Sequence, residues 1–253
     1  MLESTPEYYS SLEPFREHFA AGTPILMYHK IGIRPAGARF RGLYVSPRLF
    51  AKQMRELKEA GFEAVSLSQA LRPARPKASF VLTFDDGFKN VLRNAIEPMR
   101  ELGFTAIEFI VTNLMGKLND WDIRDGEVPE RLMDEAEVRD WLAAGHEIGS
   151  HTRAHSRLTR LSLRDAAEEI TASKKRLEDT FGVPIRHFCY PYGDTNPAVE
   201  DLVAQAGYET ACTTLTGVNT PETPPFGLRR YLARYPSRRI KTIRDGIALW
   251  RSR

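Results

Sequence analysis

Ser79-Phe80-Val81-Leu82-Thr83-Phe84-Asp85-Asp86-Gly87 is an apolar run that ends abruptly in two acids and a glycine. A continuous apolar stretch of this length, bounded by turn chemistry, reads as a strand buried on both faces. Directly after it, Val91, Leu92, Ala95, Ile96, Met99 and Leu102 recur at helical spacing, so the chain passes from strand to helix through Asp-Asp-Gly. Pro98 lies inside this stripe and is expected to kink it. A buried strand followed by an amphipathic helix is the repeating unit of a parallel sheet covered by helices.

The alternation extends outward in both directions. Upstream, Pro24 to Tyr28 and Phe62 to Leu67 read as strands. Between them Ser46 is an N-cap, Pro47 a first-turn proline, Leu49, Phe50, Met54 and Leu57 one apolar face, and Gly61 the stop. Downstream, Phe104 to Thr112, His146 to Ser150, Arg186 to Tyr190 and Tyr208 to Thr213 read as strands. Helices at Glu135 to Ala144, Ser162 to Phe181 and Pro197 to Ala206 separate them, and a last apolar stretch spans Leu228 to Leu232. The fold class is α/β, an irregular parallel (β/α) barrel of about seven strands. Residues 1–22 form a helical lead-in, with Tyr8, Tyr9, Phe15 and Phe19 available to pack, and residues 23–253 form a single domain that includes a basic C-terminal segment.

With 253 residues, 42% hydrophobic and 27% charged, the chain suffices for one such barrel, and its Gly and Pro usage excludes a collagen-like or disordered protein. Two cysteines, Cys189 and Cys212, are too few for a disulfide framework or a structural zinc site of their own. No run approaches the roughly 18 apolar residues of a membrane span. Met1 to Ser10 carries acids where an export signal has basic and then apolar residues, so a cytoplasmic protein is expected. The net charge of +3 hides an asymmetry: residues 229–253 hold eight Arg and one Lys against one Asp. Within this segment Arg238 to Arg253 spaces Ile240, Ile243, Ile247 and Trp250 near the helical period, compatible with a peripheral membrane contact and equally with packing on the barrel. Nucleic acid is not an expected partner.

Barrel enzymes carry their reactive groups where strands end. Polar residues that follow the apolar runs here are His29, the Asp85-Asp86 pair, His151 with His155, and the turn Tyr190 to Asp194. Adjacent carboxylates at a buried strand end repel, and a bound cation relieves that repulsion. One aspartate can then ligate the metal while its neighbour acts as a base. Taken alone, Asp-Asp-Gly is also an ordinary turn with Asp86 capping the next helix. His151 and His155 are four apart, which on a helical turn places both imidazoles on one face, close enough to share a metal such as zinc. Two His and one carboxylate leave positions open for water and substrate, as a hydrolytic metal requires.

Thr83-Phe84-Asp85-Asp86-Gly87, His151-Thr152-Arg153-Ala154-His155 and Tyr190-Pro191-Tyr192-Gly193 resemble, in order and spacing, the first three motifs of the NodB-type polysaccharide deacetylases, carbohydrate esterase family 4. Leu26-Met27-Tyr28-His29 and the stretch Val45 to Leu67 further resemble the circularly permuted branch that contains poly-N-acetylglucosamine deacetylases. The resemblance implies a metal-dependent N-deacetylase acting on an N-acetylated sugar polymer or glycan precursor. It also implies a base in Asp85, a divalent metal, most often zinc, on Asp86, His151 and His155, and a general acid in His29. The Tyr192 N–H, in the turn with Pro191 and Gly193, is implied to stabilise the oxyanion.

Two departures stand out. Where the family's third motif often has an arginine that braces the catalytic aspartate, this chain has Cys189, a small buried residue by its surroundings; Arg230 is the best substitute brace, with Arg229 the alternative. The late Leu-x-His motif is missing, and no histidine follows His187. His146 reads as structural. Tyr28, Trp121, Trp141 and Tyr192 are the aromatics near strand ends that can stack on sugar rings, with Trp121 a subsite candidate and Trp141 a core one. A metal amidase on a non-sugar amide and an inactive carbohydrate-binding barrel are the alternative readings.

Overall fold

The computed structural model describes residues 8–72 and 74–234, so the segment Arg238 to Arg253 and the membrane contact considered for it lie outside the described residues. The lead-in contains helix α1 (Arg16–Ala20), where Phe15 and Phe19 pack on Tyr9 and on Tyr231. Strand β1 (Thr23–Tyr28) follows, then a two-stranded clip of β2 (Lys30–Ile31) and β3 (Tyr44–Val45) that encloses the loop after β1. Helix α2 (Pro47–Glu59) starts as expected, with the Ser46 side chain accepting from Leu49 N–H and Pro47 in the first turn.

The expected strand from Phe62 to Leu67 is cut short. Only β4 (Glu63–Ala64) pairs, because Ser66 and Gln69 form a reciprocal capping box that starts helix α3 (Leu67–Ala70). The decisive run forms β5 (Ser79–Asp86), and helix α4 (Lys89–Leu102) continues past Pro98 to a left-handed Gly103. Next come β6 (Ile107–Ile110), α5 (Asp120–Arg124), α6 (Glu135–Ala143), β7 (Glu147–Ser150) and α7 (Leu163–Phe181), the last capped by Ser162 and closed by Gly182. The described part of the chain closes with β8 (His187–Cys189), α8 (Pro197–Gln205), β9 (Thr210–Cys212), β10 (Val218–Asn219) and β11 (Tyr231–Leu232).

Strands β1, β5, β6, β7, β8 and β9 lie side by side in that order and all run parallel. The sheet curls, and its remaining gap is spanned by one short segment. Leu228 bridges to Cys212 of β9, and three residues on β11 pairs in parallel with Leu26 and Met27 of β1. Seven parallel strands therefore make the irregular barrel, with β10 added antiparallel at the start of β1.

Period-two alternation sorts the β5 side chains. Phe80, Leu82 and Phe84 belong to the large core beneath the helices, while Val81 joins a separate interior cluster with Ile25, Phe109, Cys189 and Cys212. Thr83 and Asp85 continue the inward series to the strand's end. Tyr28, expected as a sugar platform, is instead fully buried: its ring packs on Phe50 and Phe84 and its hydroxyl donates to Gln53. It sits at an outward position of β1, so alternation carries it away from the barrel mouth. Trp141 is core as expected, donating its N–H to the Glu147 carbonyl.

Phe84 is fully buried and its ring meets Tyr28, Phe50 and Trp141 at 5.6, 5.8 and 5.8 Å. Phe84→Ala is expected to lower stability by about 3–5 kcal/mol, read as a shift of the urea midpoint at unchanged slope.

Candidate active site

Because the strands are parallel, their C-terminal ends share one rim, and the chain delivers His29, Asp85-Asp86, His151 and Tyr190-Pro191-Tyr192 to it after β1, β5, β7 and β8. Strict alternation would turn Asp86 away from Asp85. The backbone prevents this: Asp86 takes φ of 81°, and Gly87 repeats it. Carboxylate oxygens of both aspartates consequently lie within 4.8 Å of a His151 nitrogen. Asp86 is not the cap of α4, whose N-cap is Phe88 with no side-chain bond, so the plain-turn reading fails.

Asp85 is held from the far side of the barrel. Arg230, on the closing segment, donates from Nη1 to Oδ1 at 2.7 Å and from Nη2 to Oδ2 at 2.8 Å. The guanidinium also donates to the Thr213 carbonyl and to Thr83 Oγ1. Both side chains are almost wholly buried. Burial alone would raise Asp85, but the Arg230 charge and hydrogen bonds outweigh it and hold the carboxyl below the ordinary carboxylate range. Of the two arginines considered from sequence, Arg230 is thus the one beside Asp85. Cys189 lies 3.0 Å from Arg230 Nη2 and 3.6 Å from Asp85 Oδ2, leaving the room that the guanidinium occupies.

Asp86, His151 and His155 form the second group. Asp86 Oδ1 is 3.4 Å from His151 Nε2 and 3.2 Å from His155 Nε2, yet this buried oxygen makes no well-formed hydrogen bond. His151 Nδ1 is 2.7 Å from the Cys189 carbonyl, which can only accept. Nδ1 therefore carries a proton, and Nε2 is the nitrogen that faces Asp86. An orphaned carboxylate oxygen opposite two imidazole nitrogens is the donor set a borderline divalent cation prefers. Asp85, His151 and Cys189 are also within ligand distance of one another. That set fits a cation less well, since Asp85 is already bound by Arg230 and burial pushes the Cys189 thiol up to about 11.

The histidines do not lie on a helical turn as the spacing suggested. Thr152 and His155 both adopt positive φ, and the loop is pinned instead by Thr152 Oγ1, which accepts from His155 N–H, and by Glu169 of α7, which accepts from the N–H groups of Arg153 and Ala154. His155 Nδ1 is buried without a partner, and its ring is clamped between Trp121, stacked at 4.4 Å, and Tyr192, edge-on at 4.6 Å. Tyr192 also has positive φ and is 38% exposed, with Arg157 over its ring. All four non-glycine positive-φ residues among those described thus lie at this rim. Gly193 is forced: a Cβ there would stand 2.8 Å from the Thr214 backbone nitrogen.

His29 Nε2 is 3.9 Å from Asp85 Oδ2, and burial lowers its pKa despite the two aspartates nearby. These groups line one cavity of about 350 Å³, together with Trp121, Asp122, Met27, Leu43 and Leu232. His146 is structural as expected, buried against Trp141.

Three residues escaped the sequence reading. Glu108 is fully buried behind the aspartates, accepts from Gly87 N–H at 2.9 Å, and is driven well above its usual range by burial. An acid inside the apolar run Phe104 to Thr112 was the available signal. Lys30 and Asp122 pair at 3.6 Å, joined across a long loop that carries no periodicity.

Residues 72–211, more than half of the chain, match the family model for polysaccharide deacetylase. Over 215 residues the chain is 25% identical to a Bacillus subtilis protein named "Putative polysaccharide deacetylase YxkH", covering 83% of this chain and 71% of that one. The fold is shared with IcaB from Ammonifex degensii at 23% identity and a TM-score of 0.74, over 90% of this chain and 96% of that one. It is shared also with the Streptococcus pyogenes deacetylase PplD, solved in complex with acetate, at 22% identity and a TM-score of 0.73, over 84% and 92%.

Removing the brace strands a buried charge, so Arg230→Met is expected to cost about 3–5 kcal/mol at pH 7. The folded Asp85 pKa lies below the unfolded one. The pair's contribution is therefore present above about pH 4 and is lost as the pH falls through the folded value. Denaturation of both proteins from pH 7 toward pH 3 should show the gap between them narrowing.

Proposed function

Since the chain belongs to the NodB-type polysaccharide deacetylase family, carbohydrate esterase family 4, we propose that it hydrolyses the acetamide of an N-acetylated amino sugar in a polymer or glycan precursor, releasing acetate and the free amine. The observation that carries this reading is the division of labour between the adjacent aspartates. Asp85 is saturated by Arg230 and kept charged, whereas Asp86 Oδ1 is left unpartnered between two imidazole nitrogens.

Asp86, His151 and His155 would hold a divalent ion, zinc by its preference for this donor set. When bound, that ion supplies Lewis acidity toward the acetamide oxygen and the attacking water. Asp85 takes the water's proton: it is ionised at neutral pH, and its bidentate bonds to Arg230 fix its direction. His29, which burial keeps neutral, stands across the same cavity with Nε2 3.9 Å from Asp85 Oδ2, and it relays the proton that Asp85 takes from the water to the departing nitrogen. Tyr192 lines this cavity, and its backbone N–H is the oxyanion donor in this reading. Acetate in the complex of PplD is the product this reaction leaves. Among the described residues no helix is long and apolar enough to cross a membrane.

Acetate release from N-acetylglucosamine oligomers tests the reading. Asp85→Asn should abolish turnover while zinc stays bound, and Asp86→Ala should lose the zinc itself, both read by elemental analysis beside the assay. Unaltered turnover in Asp85→Asn would remove that residue from the mechanism. His29→Ala should slow the reaction by about two to four powers of ten without changing the thermal midpoint by more than a few degrees.

A further inference from the structure

Lys30 has no exposed surface and its ammonium makes no hydrogen bond. It lies between the rings of Tyr44 and Phe88, at 4.8 and 4.7 Å, and its counter-charge is Asp122 Oδ2 at 3.6 Å. A buried ion pair of this kind adds little stability over apolar side chains of the same size, because desolvation consumes the Coulombic gain. Its presence calls for a use of the charge.

The carboxylate supplies one. Asp122 Oδ2 accepts from Asn119 Nδ2 at 3.2 Å as well as facing Lys30. The Asn119 amide is itself oriented, since its Oδ1 accepts from Glu130 N–H at 2.7 Å. Asp122 is thus fixed from behind, while the residue lines the same cavity as His29, Asp86 and His155. No hydrogen bond from a described residue reaches Oδ1. Asp122 also stands outside both groups of ligand atoms that could hold a metal, so it is not a further ligand. Trp121, the subsite candidate beside it, already has a ring face against His155. The anchored carboxylate is left as the polar recognition group on this wall.

We propose that Asp122 is a substrate-recognition residue: its carboxylate, fixed by Lys30 and Asn119, accepts hydrogen bonds from hydroxyl groups of the sugar whose acetamide lies at Asp85 and Asp86. The inference rests on the deacetylase reading and deepens it. A charged acceptor held in a dry wall discriminates strongly for a hydroxyl donor, because a ligand without one leaves it unpaired. A sugar ring offers several hydroxyls beside its acetamide; a simple aryl acetate offers none. This residue would therefore separate glycan deacetylation from general amide or ester cleavage on the same catalytic groups.

The test compares wild type with Asp122→Asn on two substrates, the N-acetylglucosamine tetramer and 4-methylumbelliferyl acetate, with zinc content measured on each preparation. The expected result is a loss of about 10- to 100-fold in kcat/KM on the tetramer, the range of one hydrogen bond to a charged group, carried mainly by KM. The loss on the aryl ester should be at least tenfold smaller, with zinc content equal to wild type. Because Asp122→Asn leaves Lys30 unpaired, the double variant Asp122→Asn/Lys30→Met is run alongside. It removes both charges and should show the same sugar-selective loss at near wild-type stability. Equal losses on the two substrates, or none on the tetramer, overturn the proposal while leaving the deacetylase reading intact. A wild type that cleaves the ester but releases no acetate from the tetramer overturns both.

Discussion

A carboxylate in a barrel interior has to be kept charged where water cannot solvate it, and the bidentate grip of Arg230 on Asp85 meets that requirement. The guanidinium satisfies its own donors on the Thr213 carbonyl and Thr83 Oγ1, so neither ion is left short of partners. Arg230 lies on the segment that pairs with β9 at Leu228 and with β1 at Tyr231. Closing the barrel and keeping Asp85 charged are therefore one structural event. Cys189 fits the same logic: a side chain as short as a thiol beside Asp85 leaves space for an arginine that arrives from another strand.

The cluster of Asp86, His151 and His155 is organised differently, by backbone strain rather than by charge pairing. Positive φ at Asp86, Thr152 and His155 is unfavourable for residues with a Cβ and persists only where the surroundings over-determine it. Here Glu108 holds the Gly87 N–H, and Glu169 holds those of Arg153 and Ala154. His155 has no hydrogen bond at Nδ1 to set its ring plane, and the Trp121 and Tyr192 rings take over that task.

Trp121 and Asp122 both lie on the short helix α5, in the connection between β6 and α6, and line the cavity at the barrel's mouth. Lys30 directly follows His29, so one buried ion pair ties that wall to the end of β1. On the proposed reading, specificity resides on this connection and the bond-breaking groups on strand ends, where a rigid scaffold sets their spacing.

By itself, the amino-acid order determined the features that depend on near neighbours. The apolar run into Asp85-Asp86-Gly87, the Ser46-Pro47 helix start and the strand–helix alternation are local, and each gives the element the structure contains. Two short motifs likewise singled out Asp85, Asp86, His151 and His155, which the structure brings together, because those residues sit beside the strand ends that carry them. Tertiary structure alone decided which of Arg229 and Arg230 meets Asp85, that Tyr28 turns into the core, and that His151 and His155 converge through left-handed turns instead of a helix. It also brought Lys30 to Asp122 and Glu108 to Gly87. The contacts of Glu108 with Gly87 and of Arg230 with Asp85 join positions 21 and 145 residues apart, and their geometry is set by strand order, register and the path of aperiodic loops, none of which leaves a repeating trace in the sequence.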